Sequence, residues 1–237
     1  MSSCLDKFEV KMMKNWLFAL GVLLGYILAG GLIWAQLEAD FYGFPFYSDR
    51  RLDGLSCPHL MTPQEQAEIR LELRNPGDTP LNQMVGVEIS TPGPLFSEQE
   101  VLSLLPGEEK VVAWPISARA NRDLGFFIFA RAYRYPTYLA PMAQATCGIL
   151  VLPLPGRGDV LLWFWILLTG ALILPRLWHM EDLSNGQQRL IFRLLALGLC
   201  LLLLVALWRW WPVGIFLLAV QLILIVVTLT HRWFVRP

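Results

Sequence analysis

The run from Trp16 to Ala35 contains no charged side chain, and three further runs share that property: Val160 to Pro175, Leu194 to Trp208 and Val213 to Thr230. A helix rises about 1.5 Å per residue and needs about 20 apolar residues to cross roughly 30 Å of hydrocarbon. The first and last runs meet that length, and the middle two are short. The third is extended by Phe192 and Arg193, the arginine reaching its charge toward the interface. With 55% hydrophobic and only 16% charged residues, the composition is far from that of a soluble domain. The chain reads as a multi-pass cell-membrane protein with four transmembrane helices.

Lys7, Lys11 and Lys14 precede the first run, as in a secretory signal, and Ile33-Trp34-Ala35 resembles a cleavage site. The apolar stretch exceeds the about 7 to 15 residues of a signal peptide, so it reads as a retained signal anchor. If all four helices cross, these lysines lie on the same side as Arg176, Arg189, Arg193, Arg232 and Arg236, with Arg157 and Arg209 opposite. The excess of basic residues marks the cytoplasmic side. The expected order is a cytoplasmic N-terminus at 1–15, a span at 16–36 and an extracytoplasmic domain at 37–158. A second span at 159–176, a cytoplasmic loop at 177–189 and a third span at 190–208 follow. An outer loop at 209–212, a fourth span at 213–230 and a cytoplasmic C-terminus at 231–237 complete it. Nine of the ten tryptophans fall near the ends of these spans, where the indole suits the membrane interface.

Residues 37–158 read as strands. Ala67, Ile69, Leu71 and Leu73 alternate with Glu68, Arg70, Glu72 and Arg74, the period of a strand with one buried face. "NPGDTP" is a turn signal. Val85, Val87 and Ile89 alternate next, "TPGP" and "LLPGEE" are breaks, and strands follow at Lys110 to Ile116, Phe126 to Tyr133 and Ala145 to Val151. Six or seven short strands at this spacing predict an all-β sandwich inserted between the first two helices.

The run "EIRLELRNPGDTPLNQMVGVEIS", then "LLPGEEKVVAWPI", then a last strand just before an apolar helix, resembles the immunoglobulin-like CARDB or NEW3 domains of bacterial and archaeal envelopes. The resemblance spans about residues 60 to 152. It implies an immunoglobulin-like sandwich and a role in adhesion, spacing or interaction, without catalytic residues.

"SCPHLMT", from Ser56 to Thr62, is the densest group of reactive side chains. Cys57 and Cys147 both fall in the extracytoplasmic segment, where an oxidising compartment favours a disulfide. It would close a loop of about 90 residues, a constraint of about 4 to 5 kcal/mol in the chain-entropy model. Alternatively Cys57, His59 and Met61 share a strand face as soft copper(I) ligands. Against that stand Pro58 and the lack of a second histidine in the domain. Disulfide formation is the expectation, and no metal or other cofactor is expected.

No Asp, Glu, Lys, Arg or His lies deep within the spans, and Gln221 is their main deep polar side chain. Pumps and ion pathways use charges at that depth, so neither is expected. Gly21, Gly25 and Ala29 recur at four-residue intervals, a groove allowing close helix approach. Its occupant is either another helix of this chain or a helix of a different subunit, with Gln221 adding an interhelical hydrogen bond.

Two clusters suggest a partner surface: Phe41, Tyr42, Phe44, Phe46 and Tyr47 after the first span, and Arg131, Tyr133, Arg134 and Tyr135 in a strand. Aromatic and arginine side chains are enriched at interfaces. Nucleic acid is not an expected partner at zero net charge. No nucleophile elbow, phosphate loop or zinc signature occurs, so the chain is not expected to be an enzyme. The expected role is a non-catalytic accessory or assembly subunit of a prokaryotic membrane complex, in contact with lipids and other membrane subunits. The alternative is a copper- or small-ligand-handling module serving a membrane enzyme.

Overall fold

The computed structural model describes residues 2–42, 44, 50–123, 125–136, 142–178 and 186–234. The chain forms two compact units: Met1–Ile33 with Leu162–Pro237, and Trp34–Leu161.

The first unit is helical. It holds most of α1 (Ser2–Phe41) and α3 (Gly158–Trp178), followed by α4 (Gly186–Leu207) and α5 (Trp211–Phe234). Among the described residues three stretches are long and apolar enough to cross a membrane: Asn15–Phe41, Gly158–Trp178 and Arg189–Leu207. Four were expected. In α5 the described apolar segment is Trp211–Val227. Leu28, Ala29, Leu199 and Leu202 are buried, while Leu23, Leu167, Leu197 and Ile223 point outward. Helices apolar on every side suit a surrounding that is itself apolar.

The turn from α4 to α5 is tight because the end of α4 is capped. Arg209 has φ 58°, its N–H bonds the Ala206 carbonyl at 3.1 Å, and Trp210 N–H bonds Val205 at 3.1 Å. This is a Schellman cap with arginine at the left-handed position that glycine usually takes.

The second unit contains two sheets and a short helix, α2 (Ala118–Asn121). The strands are β1 (Leu55–Ser56), β2 (Leu60–Met61), β3 (Gln66–Arg74), β4 (Leu81–Ile89), β5 (Phe96–Leu104), β6 (Glu109–Ser117), β7 (Phe127–Pro136) and β8 (Ala143–Val151). One sheet has the order β1-β3-β6, the other β2-β8-β7-β4-β5. Every named pairing is antiparallel except β2 with β8. The inward residues of both sheets meet in one core. Ile69, Leu71, Leu73, Trp114 and Ile116 come from the first sheet, and Val85, Val87, Ile89, Ile128 and Ile149 from the second.

The chain changes sheets between β1 and β2, at Cys57-Pro58-His59. Pro58 has no N–H to contribute to a ladder, and it stands where the chain leaves one ladder for the other. At that crossing Cys57 is disulfide-bonded to Cys147 of β8.

The strand β5 has no apolar alternation in its sequence because it is an outer strand. Only Leu102 and Leu104 of its nine residues are buried.

Gln83 is a local defect in the core. By alternation it shares the inward face of Val85 and Val87. It is buried, and neither its amide oxygen nor its amide nitrogen has a hydrogen-bond partner. Replacing it with the similarly shaped methionine removes an unpaired amide from the interior. Gln83→Met is expected to stabilise the β unit by about 1 to 3 kcal/mol, read as a higher thermal midpoint by near-ultraviolet circular dichroism. An unchanged or lower midpoint would mean the amide is satisfied in solution.

Candidate functional site

The most specific local chemistry lies where the chain enters and leaves the β unit. Strand β8 pairs with β7 on one side, and its even-numbered residues direct backbone groups to the other side. On that side the partners come from different segments of the chain. Gln144 N–H bonds Arg50 O at 2.9 Å, and its carbonyl accepts Leu52 N–H at 2.9 Å. Leu150 N–H bonds His59 O, and Leu152 N–H bonds Met61 O, both at 3.0 Å.

Between these lies the last part of α1. Gln36 Nε2 donates to Thr146 O at 3.2 Å, and Gln36 Oε1 accepts Gly148 N–H at 3.2 Å. One carboxamide thus replaces a neighbouring peptide group. The Thr146 hydroxyl also donates to Asp40, one turn beyond Gln36. The approach requires glycine at 148, since a Cβ there would lie 1.9 Å from the Ala35 carbonyl oxygen.

The exit is secured by Glu65. Its Oε2 accepts Thr62 N–H at 2.9 Å and Gly158 N–H at 2.8 Å, and Thr62 Oγ1 donates to Gly156 O at 2.7 Å. At Gly158, the first residue of α3, a Cβ would lie 1.9 Å from the Leu60 carbonyl oxygen. Both ends of the unit are therefore held by hydrogen bonds and close backbone approach.

Within the expected aromatic and basic surface, Arg131 and Tyr133 are internal, while Tyr42 and Phe44 are half-buried. Tyr133 is buried, with Gln99 Nε2 donating to its hydroxyl at 2.9 Å. Its ring lies over Gly86, where a Cβ would come within 2.5 Å. Arg131 is buried beside Glu88, which also lies within the protein, at 2.7 Å. The pairing is forked, with Nε at 3.2 Å from the same carboxylate oxygen. Phe44 caps the guanidinium, its ring centroid 4.9 Å from Cζ. Tyr42 packs on Phe129 at 4.7 Å and donates to Asp123 Oδ2 at 2.5 Å. Burial, reinforced by the Asp123 carboxylate, pushes the Tyr42 phenol up to about 12, so it remains a neutral donor at ordinary pH.

Arg134 and Tyr135 are half-buried, and Phe41 is exposed. Phe46 and Tyr47 lie outside the described residues. Burial of Arg131 and Tyr133 follows from the register, which sets them on one sheet face opposite Glu88 and Gly86. Ion pairing and the absent glycine side chain let both pack down.

Cys57, His59 and Met61 do not form a common ligand face. Cys57 is in the disulfide, Met61 is fully buried in the core, and His59 is half-buried. A sulfur in a disulfide is no thiolate donor.

The glycine stripe of α1 is filled by helices of this chain. A Cβ at Gly21 would meet Leu172 and Ile173 of α3, and one at Gly25 would meet Leu199 of α4 and Thr169 of α3. Ala29 is fully buried, and Trp165 Nε1 donates to Leu24 O at 3.1 Å. Gln221 accepts the Tyr26 hydroxyl at 2.9 Å. Its Nε2 occupies the place a Cβ at Gly198 would take, 1.4 Å from that position. The amide therefore joins α1, α4 and α5.

Sequence reasoning passed over Gln36, Glu65, Glu88, Gly148, Gly158 and Gly198. Glycine inside the strand pattern "ATCGILV" was the available signal, since such a glycine marks close approach of another backbone. Nothing in the local pattern around Glu65 or Glu88 announces its partner.

No family model matches the chain. No curated protein matches it. Among solved structures it is similar to the CARDB domain of a Pyrococcus furiosus protein, solved in complex with di-metal ions. That match has 19% identity and a TM-score of 0.33, and covers 46% of this chain and 98% of that one. A cycloisomaltooligosaccharide glucanotransferase of Paenibacillus sp. matches at 14% identity and a TM-score of 0.32, over 43% of this chain and 14% of its own. An alkylpurine DNA glycosylase of Pseudomonas fluorescens matches at 12% identity and a TM-score of 0.30, over 40% of this chain and 28% of its own. The CARDB likeness is a resemblance over under half of the chain, and none of these similarities bears on activity.

The buried Arg131–Glu88 pair gives a direct test of the internal layer. Glu88→Ala removes the carboxylate paired with a buried guanidinium and is expected to cost about 3 to 5 kcal/mol, whereas Glu88→Leu combined with Arg131→Met recovers most of that loss. Thermal unfolding of the full chain in detergent reads both. Equal losses in the single and the double variant would show that charge pairing is not what this layer depends on.

Proposed function

We propose that this chain is a non-catalytic accessory or assembly subunit of a prokaryotic membrane protein complex. In this reading four helices cross the cell membrane, both termini are cytoplasmic, and residues 37–158 form an extracytoplasmic immunoglobulin-like sandwich that engages a partner. Membrane lipids surround the helices, and other membrane subunits contact them.

The observation that carries the reading is the bonding of both chain ends into the β unit, through Gln36 to Thr146 and Gly148 and through Glu65 to Thr62 and Gly158. A module that captures a soluble ligand works equally well on a flexible tether. One that holds a partner at a fixed place gains from ends that do not flex, because ordering on binding then costs less. The use of the reactive side chains supports the same reading. Cys57 and Cys147 are bonded together, and Arg131 and Glu88 are paired inside the protein.

The reading predicts that gentle extraction from the native membrane, through a tag on the C-terminus, recovers the chain with a defined set of membrane proteins at fixed stoichiometry. Recovery of the chain alone at native abundance would overturn it.

A further inference from the structure

The two sheets end in strands of very different accessibility. The outer side of β8 is occupied by Arg50–Leu52, Gln36 and β2. The outer strand β6 carries Pro115, which lacks an N–H and interrupts any further ladder. Strand β5 differs from both. It pairs with β4 along all nine residues, stands last in the five-stranded sheet, and contains neither glycine nor proline. Among the described residues no strand pairs with its other side. Alternate residues of such a strand direct N–H and C=O groups outward, ready to extend the sheet.

The side chains on this edge select what can add to it. Glu98 lies opposite Val87 and Glu100 opposite Val85, so both project from the inward face of the sheet. Both are exposed nonetheless. Glu100 sits 3.8 Å from Lys110 in a half-exposed pair, which water screens and a competing cation can replace. On the other face Val101 is 74% exposed. Carboxylates on an edge strand repel a second copy of the same strand, which would bring their like charges together. They attract a strand with basic residues at the same two-residue spacing. The arrangement therefore disfavours self-association while leaving backbone pairing open to a basic segment.

We propose that the free edge of β5 receives an extended segment of a partner protein carrying Lys or Arg at alternate positions. The segment adds a strand to the five-stranded sheet, with its cations set against Glu98 and Glu100. The backbone ladder supplies affinity and the charge spacing supplies selectivity. This rests on the reading of the β unit as an interaction domain and names the chemistry of its partner.

The test uses the full chain in lipid nanodiscs and two synthetic peptides. One is a nine-residue peptide alternating lysine with valine, and the other has glutamate in place of lysine. The lysine peptide is expected to slow amide exchange across residues 96–104. Glu98→Lys combined with Glu100→Lys is expected to weaken that binding roughly tenfold and to transfer binding to the glutamate peptide. Both substitutions are at exposed positions, so an unchanged thermal midpoint verifies folding. Absence of slowing at β5, equal binding of the two peptides, or undiminished binding by the variant overturns the proposal.

Purification from native membranes separates this proposal from the subunit reading. Partners held by the natural chain and lost from the variant support the edge. Partners held equally by both overturn the edge and leave the subunit reading standing. A natural chain that binds the lysine peptide as described but co-purifies with no protein supports the edge and overturns the subunit reading.

Discussion

The open side of β8 is the constraint on which the β unit depends. A buried strand edge cannot leave its N–H and C=O groups without partners, because each unpaired group costs about 1 to 3 kcal/mol. The protein solves this piecewise. Residues 50 to 52 bond Gln144, the Gln36 amide bonds Thr146 and Gly148, and the β2 segment bonds Leu150 and Leu152. The disulfide from Cys57 to Cys147 fixes the same strand. Closing the edge with the end of a helix has a structural consequence. The last turns of that helix are part of the sheet's bonding.

The helical unit obeys a related rule with different means. In the membrane setting proposed above there is little hydrophobic force between helices, so close packing and hydrogen bonds hold them together. Gly21 and Gly25 admit α3 and α4, and Gly198 admits the Gln221 amide that takes the Tyr26 hydroxyl. The small-residue stripe is thus used within the chain. In the subunit reading, partner contacts fall to other helix surfaces and to the β unit.

Much of this was legible in the sequence, and the limits have physical causes. Strands whose apolar residues alternate, such as β3 with Ile69, Leu71 and Leu73, declare themselves because one face is buried. β5 did not, because an outer strand with Glu98 and Glu100 on its inward face has no such pattern. The expected surface around Arg131 and Tyr133 is internal because a charge or a ring is buried only through its partner. Glu88 and Gly86 lie over forty residues earlier in the chain and become neighbours only through the β4–β7 register. Gln36 was invisible for the same reason: a lone glutamine near a helix end says nothing of the strand it bonds until Gly148 is known to lie beneath Ala35.

Residue-resolved hydrogen–deuterium exchange of Gln36→Ala beside the natural chain tests the account most directly. If the Gln36 amide closes the β8 edge, Gly148 N–H exchanges slowly in the natural chain and much faster in the variant. Cys147, whose N–H faces β7, keeps its protection. Equal protection of Gly148 in both proteins would contradict the account, because the edge would then be closed without α1.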